Sequence, residues 1–95
     1  MLNERIKQLR QSRNLSQVDI AKQLNVTKQS VSNWENDNIQ PSIDMLVKLS
    51  HLFSVSTDYL LGLDNKSYIE VSGLSEEELA HIQQIIQDIK KYKNK

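Results

Sequence analysis

Cysteine is absent from this chain of 95 residues, which excludes a disulfide scaffold and a thiolate metal site. The two histidines, His51 and His81, stand far apart with no ligand pattern beside either, so no zinc site is expected. Glycine is almost missing: Gly62 and Gly73 are the only two, and neither belongs to a glycine-rich phosphate loop. No apolar run approaches the roughly 20 residues of a membrane span. The first residues, MLNERIKQLR, lack the apolar stretch of a secretory leader. A soluble, cytoplasmic protein with no membrane partner is expected. An excess of charge is missing as well, because 12 Lys+Arg balance 12 Asp+Glu. Residues 1–63 carry seven basic and six acidic side chains and residues 64–95 carry five and six, so neither part departs far from neutrality. Any footprint for nucleic acid must come from the arrangement of charge. A chain this short holds one domain, or one domain and an appendage, with no room for a deep active site. The acids are scattered and no nucleophile stands beside a base, so no enzyme activity and no cofactor are expected.

What the chain does have is a series of helix starts. A Ser or Thr side chain can accept from an orphan amide of the first turn, and apolar residues on either side can staple the chain into the helix. Ser16 lies between Leu15 and Ile20, with Asp19 completing a capping box. Thr27 lies between Val26 and Val31, and Ser56 between Val55 and Leu60. Ser75 lies between Leu74 and Leu79, with Glu78 completing a second box, and Ser42 follows Pro41. With the N-terminal segment these starts predict an all-α chain with helices over 2–13, 16–24, 27–36, 42–53, 56–61 and 75–92. Leu2, Ile6 and Leu9 form a core stripe at helical spacing. SIDMLVKLSHLF is apolar over much of its circumference and reads as the central buried helix. Gly62 suits the left-handed residue that ends a helix. Residues 62–74 have the composition of a connecting segment, and YIEV within them alternates weakly, as a short extended piece would. The organisation expected is a domain over 1–63, a linker over 64–74 and a C-terminal helix within 75–95.

Only Asn25 and Val26 separate the second helix from the third. So short a turn makes the two helices cross and touch, with Ala21 and Ser30 offering small side chains at the approach and Asn25 able to take a left-handed conformation. Ile20, Leu24, Val26, Val31 and Trp34 are expected in the shared core. At helical periodicity Lys28, Gln29, Ser32, Asn33 and Asn36 fall within an arc of about 140°. Most polar helix faces are merely solvated. This one consists of amides in place of the usual Glu/Lys mixture and has no acid from Thr27 through Trp34. A helix fits the DNA major groove, where Lys can donate to guanine and Gln or Asn can pair bidentately with adenine. Gln17, Thr27 and Lys28 cluster at helix N-termini, which favour phosphate. Trp34 reads as a packing residue and Glu35 as structural, since an acid facing phosphate would repel it. Arg5, Lys7 and Arg13 read as solvated charges, with Arg10 and Arg13 within reach of the backbone, and His51 as an edge residue of the fourth helix.

The segment LSQVDIAKQLNVTKQSVSNWENDNIQPSIDMLVKLSHLFSVSTDYLLG resembles the DNA-binding domain of the phage repressor and Cro family, also called the XRE family. The resemblance covers residues 2–63 and rests on Ser16-Gln17, Ala21, Val31, the Trp34-Glu35 pair with Asn36, Pro41 and the closing DYLLG. It implies a five-helix, lambda-repressor-like domain that binds double-stranded DNA in a sequence-specific manner, as a dimer on an operator with two-fold symmetry, and a repressor by family habit. It further implies that Lys28, Gln29, Ser32 and Asn33 contact bases, that Gln17, Thr27 and Asn36 contact the DNA backbone, and that Arg10 and Glu35 form a structural ion pair. Asn25 stands where many members have glycine, and the turn is expected to persist.

Residues 64–95 lie outside that resemblance. In the last helix Leu79, Ile82, Ile85, Ile86, Ile89 and Tyr92 share one face, with Glu76, Glu77 and Glu78 at its start and Lys90, Lys91 and Lys93 at its end. The charges suit the helix dipole. The apolar face needs a partner surface, and a homodimer through this helix is the expectation, with folding back on the same domain as the rival. A second class of function also remains open, a protein-interaction module such as an antitoxin or the target of an antirepressor.

Overall fold

The computed structural model describes residues 1–66 and 68–93; Ser67 of the expected linker, and Asn94 and Lys95 of the expected C-terminal segment, lie outside the described residues. Among the described residues six α-helices follow one another: α1 (Leu2–Ser12), α2 (Gln17–Leu24), α3 (Lys28–Glu35), α4 (Ile43–Phe53), α5 (Thr57–Leu61) and α6 (Glu76–Lys93). No strand occurs among the described residues, and the YIEV segment is irregular. Each expected cap is in place. Ser16, Thr27, Ser42 and Ser56 accept from the backbone N–H three residues on, at 3.0–3.2 Å. The Asp19 carboxylate closes the first capping box by accepting from Ser16 N–H at 2.8 Å. Glu78 closes the second by accepting from Ser75 N–H at 2.9 Å.

The helix ends share a device that the sequence pattern showed only at Asn25 and Gly62. Asn14, Asn25, Asp37, Ser54 and Gly62, one after each of α1–α5, all have positive φ. In every case the next residue's N–H donates to a carbonyl five positions back: Leu15 to Arg10, Val26 to Ala21, Asn38 to Asn33, Val55 to Ser50 and Leu63 to Asp58, at 2.9–3.1 Å. This is the Schellman closure, which satisfies carbonyls that a helix end leaves unpaired. It also turns the chain sharply, so five short helices close on one core.

That core consists of Ile6, Leu9, Ile20, Ala21, Leu24, Val31, Trp34, Leu49, Phe53 and Leu60, with Leu2, Leu15, Val26, Met45, Leu52, Val55 and Tyr59 packed around it. It joins α2 to α3 and α4, and α1 to α3 and α5. α4 is not the all-round buried helix that its composition suggested. Leu49, Ser50 and Phe53 are buried, whereas Ile43 is 79% and Val47 43% exposed. Helices cover α4 on the sides of α2 and α5, so its remaining arc faces outward. Two expected surface charges are structural as well. Arg13 donates from Nη2 to the carbonyl oxygen of Phe53 at 2.8 Å, and its guanidinium lies over the Phe53 ring. The guanidinium of Arg5 stacks on Tyr59, 3.9 Å from the ring centroid. These contacts tie α1 and the turn that follows it to α4 and α5, with each guanidinium over an aromatic ring. α6 contributes no buried residue. No helix among the described residues is long and apolar enough to cross a membrane.

Candidate nucleic-acid interface

The interface is built from the α2–turn–α3 unit. Asn25 holds φ 57° and ψ 47°, the left-handed conformation that the two-residue turn requires. A side-chain amide tolerates this region better than other non-glycine residues do, so the absence of glycine leaves the turn intact. Thr27 then starts α3 by accepting from Ser30 N–H, and its hydroxyl also lies 3.0 Å from the Ser30 hydroxyl. Val31, Trp34 and Glu35 are the buried residues of α3, and they fix its rotation. The opposite face presents Lys28, Gln29 and Asn36 exposed, with Ser32 and Asn33 half-buried between them. The five side chains of the predicted arc therefore lie together on the outer surface, with Thr27 exposed at the head of the same face.

Two hydrogen bonds order that surface. Gln29 donates from Nε2 to Oδ1 of Asn33 at 3.0 Å, and Asn36 donates from Nδ2 to Oγ of Ser32 at 3.2 Å. Both span one helical turn, the spacing at which side chains on a helix meet. α3 has no acid in its first turn, so the positive end of its dipole is not offset, whereas α2 carries Asp19 there. The start of α3 is thus the better place for a phosphate.

Behind the face, Glu35 anchors α3. Its side chain is 2% exposed and accepts from Arg10 twice, from Nε at 2.7 Å and Nη2 at 2.9 Å. The third guanidinium nitrogen, Nη1, donates to the Leu15 carbonyl at 2.9 Å. One planar fork therefore joins α1, the α1–α2 turn and the end of α3. The hydrogen bond to Glu35, offset in part by burial, holds the Arg10 pKa above its ordinary value. Gln17, read in the sequence only as a phosphate contact, also reaches this group: its Nε2 donates to Oε1 of Glu35 at 3.2 Å. Gln17 is half-buried, and its amide is oriented by the bond to Glu35. No spacing pattern links residues 17 and 35; only the crossing of α2 and α3 brings them together.

The face expected for dimerisation is a separate surface. Leu79 and Ile82 are half-buried, whereas Ile85, Ile86, Ile89 and Tyr92 are exposed. Acids occupy the first turn of α6 and lysines the last.

Residues 6–60 match the family model described as "Helix-turn-helix" (HTH_3). The chain is 42% identical over 91 residues to the HTH-type transcriptional regulator ImmR of Bacillus subtilis (strain 168), covering 94% of this chain and 68% of ImmR. Its fold is similar to that of the P22 c2 repressor in a crystal structure with a synthetic operator, with TM-score 0.64 and 31% identity over 67% of this chain and 97% of that one. A chain of the SinR protein/SinI protein complex superposes with TM-score 0.62 and 25% identity, covering 100% of both chains.

Proposed function

The chain belongs to the helix-turn-helix family of DNA-binding transcriptional regulators, and from that premise we propose that it is a repressor that binds an operator of two-fold symmetry as a homodimer. One observation carries the reading: α3 buries its apolar side in the domain and turns Lys28, Gln29, Ser32, Asn33 and Asn36 outward as one acid-free surface. A helix with such a face can enter the major groove and meet base edges with donors and acceptors. In this reading Lys28, Gln29, Ser32 and Asn33 contact bases. Thr27, at the uncompensated N-terminus of α3, contacts the backbone together with Gln17 and Asn36. The P22 c2 repressor, which shares this fold, was crystallised with operator DNA, and that supports double-stranded DNA as the partner. No cofactor and no catalytic step enter this account, and the cytoplasm is where such a protein would meet its DNA.

The homodimer is assigned to α6. Pairing the helix antiparallel with a second copy buries Ile82, Ile85, Ile86 and Ile89 and sets Glu76, Glu77 and Glu78 against Lys90, Lys91 and Lys93 of the other copy. Residues 64–74 serve as the linker that lets two domains place their α3 helices about 34 Å apart, one turn of DNA. A protein partner on the same α6 face, as for an antirepressor target or an antitoxin, is the second reading. The likeness to a chain taken from a protein–protein complex favours keeping it.

Selection of bound fragments from random DNA tests the proposal. The intact chain should enrich one palindromic sequence, and its affinity should fall steeply with salt, by a log–log slope of about −0.9 for each phosphate contacted. No binding at low salt would leave the protein-interaction reading in its place.

A further inference from the structure

The hydrogen bond between Gln29 and Asn33 has a consequence for what α3 can read. A carboxamide offers two N–H donors and one carbonyl acceptor. Gln29 commits one N–H to Oδ1 of Asn33 at 3.0 Å. Its Oε1 and second N–H stay available, and this is the pair that adenine asks for at N6 and N7. Asn33, in turn, has one lone pair of its side-chain oxygen engaged by Gln29 and its two Nδ2 donors unspent. Asn33 is half-buried at the base of the face while Gln29 is exposed beyond it, so the shorter, more confined side chain orients the longer one. A lone Gln can flip its amide or change rotamer to suit another base edge. One held at its nitrogen presents a single orientation.

We propose that Gln29 and Asn33 act as one coupled reading unit, in which the Asn33 carbonyl sets the Gln29 amide for adenine and Asn33 is thereby a specificity-determining residue for the base pair that Gln29 contacts. The inference rests on α3 being the reading helix. It differs from the assignment of two independent base contacts, because it assigns Asn33 an effect on a base that Gln29 touches.

The test begins with the operator selected by the intact wild-type chain. The pair read by Gln29 is the one whose discrimination Gln29→Ala abolishes, and it should be A·T. Affinities for that operator, and for the same operator with this pair replaced by G·C, are then compared across wild type, Asn33→Ala, Asn33→Asp and the double variant Gln29→Ala/Asn33→Ala. Asn33→Ala should cut the adenine preference by at least fivefold. Asn33→Asp keeps an oxygen for Gln29 and should retain the preference ratio while lowering affinity for both operators alike, since its charge is repelled by phosphate. In the double variant the losses should be non-additive. An adenine preference unchanged in Asn33→Ala, or lost equally in Asn33→Asp, or a pair other than A·T under Gln29, would overturn the coupling while leaving α3 as the reader. A wild-type chain that selects no sequence would overturn the coupling together with the DNA reading beneath it.

Discussion

At the scale of single residues, the side chains that matter most divide into those that face outward and those that hold the outward ones still. Glu35 belongs to the second group. It is buried beside the recognition surface, and its two carboxylate oxygens accept from Arg10 and Gln17. Removing one member of a buried pair strands the other, at a cost of about 3–5 kcal/mol. Glu35→Ala is therefore expected to lower stability on that order. Glu35→Gln keeps the shape but loses the charge-assisted bonds, and should cost about 1.5–3 kcal/mol. Urea unfolding curves distinguish both from an ordinary surface substitution, which stays within ~0.5 kcal/mol. Gln17→Ala should behave differently. It should weaken binding to all DNA sequences alike, because a phosphate contact positions the domain without reading bases. It should also lose about 1 kcal/mol of stability with the bond to Glu35. Measuring specific and non-specific affinity beside a urea melt separates the two effects.

At the scale of the element, the helices are defined by their ends. Ser54 ends α4 with φ 55°, a conformation that its Cβ disfavours and that neither an Asn or Asp side chain nor the lack of a Cβ relieves. Ser54→Gly is expected to stabilise the domain by up to about 1 kcal/mol, the relief of strain exceeding the added freedom of the unfolded chain. A rise in the urea midpoint with an unchanged slope would show it. The start of α6 carries a pH dependence. Glu78 accepts from the backbone N–H of Ser75 and bonds its side chain, and these bonds lower its pKa from the ordinary 4.5. A depressed folded-state pKa means that the contribution is fully present above pH 4.5 and is lost as pH falls through the lower folded value. Helicity followed by circular dichroism should drop in that acid range for wild type, and a Glu78→Gln variant should lack this component of the drop. Asp19 in the other box has a lowered pKa for the same reason, a backbone hydrogen bond from Ser16 first and its side chain second. Comparison with Glu78→Gln isolates the part that belongs to α6.

At the scale of the whole molecule, one core holds five helices while the sixth adds no buried residue to it. An isolated helix of this length is marginal in water, and its row of isoleucines favours a partner surface. Truncation after Asn65 is expected to leave a folded monomer, because the core and all five Schellman closures lie before that point. Its operator affinity should fall to that of a single half-site. Ile82→Asp combined with Ile86→Asp should reproduce the same behaviour in the untruncated 95-residue chain. Sedimentation measures both: an intact chain that runs as a monomer would overturn the proposed homodimer, and a truncated chain that remains a full-strength dimer would overturn its assignment to α6.

The six helices, their caps and the outward arc of α3 were legible in the sequence, because each depends on residues within about one or two turns of one another. The 3.6-residue period and the capping spacing are local geometry, and they write themselves into the order of side chains. The pairing of Arg10 with Glu35 came only from the family resemblance, since no periodicity connects positions 25 residues apart. The Gln17–Glu35 bond, the reach of Arg13 to the last carbonyl of α4, and the stacking of Arg5 on Tyr59 were not legible at all. Nor was the exposure of Ile43 and Val47, which composition alone would have buried. These features depend on which helices become neighbours and at what angle they cross. That choice is made by the shared burial of residues distant along the chain, so local order decided what each helix is, and packing decided what each side chain meets.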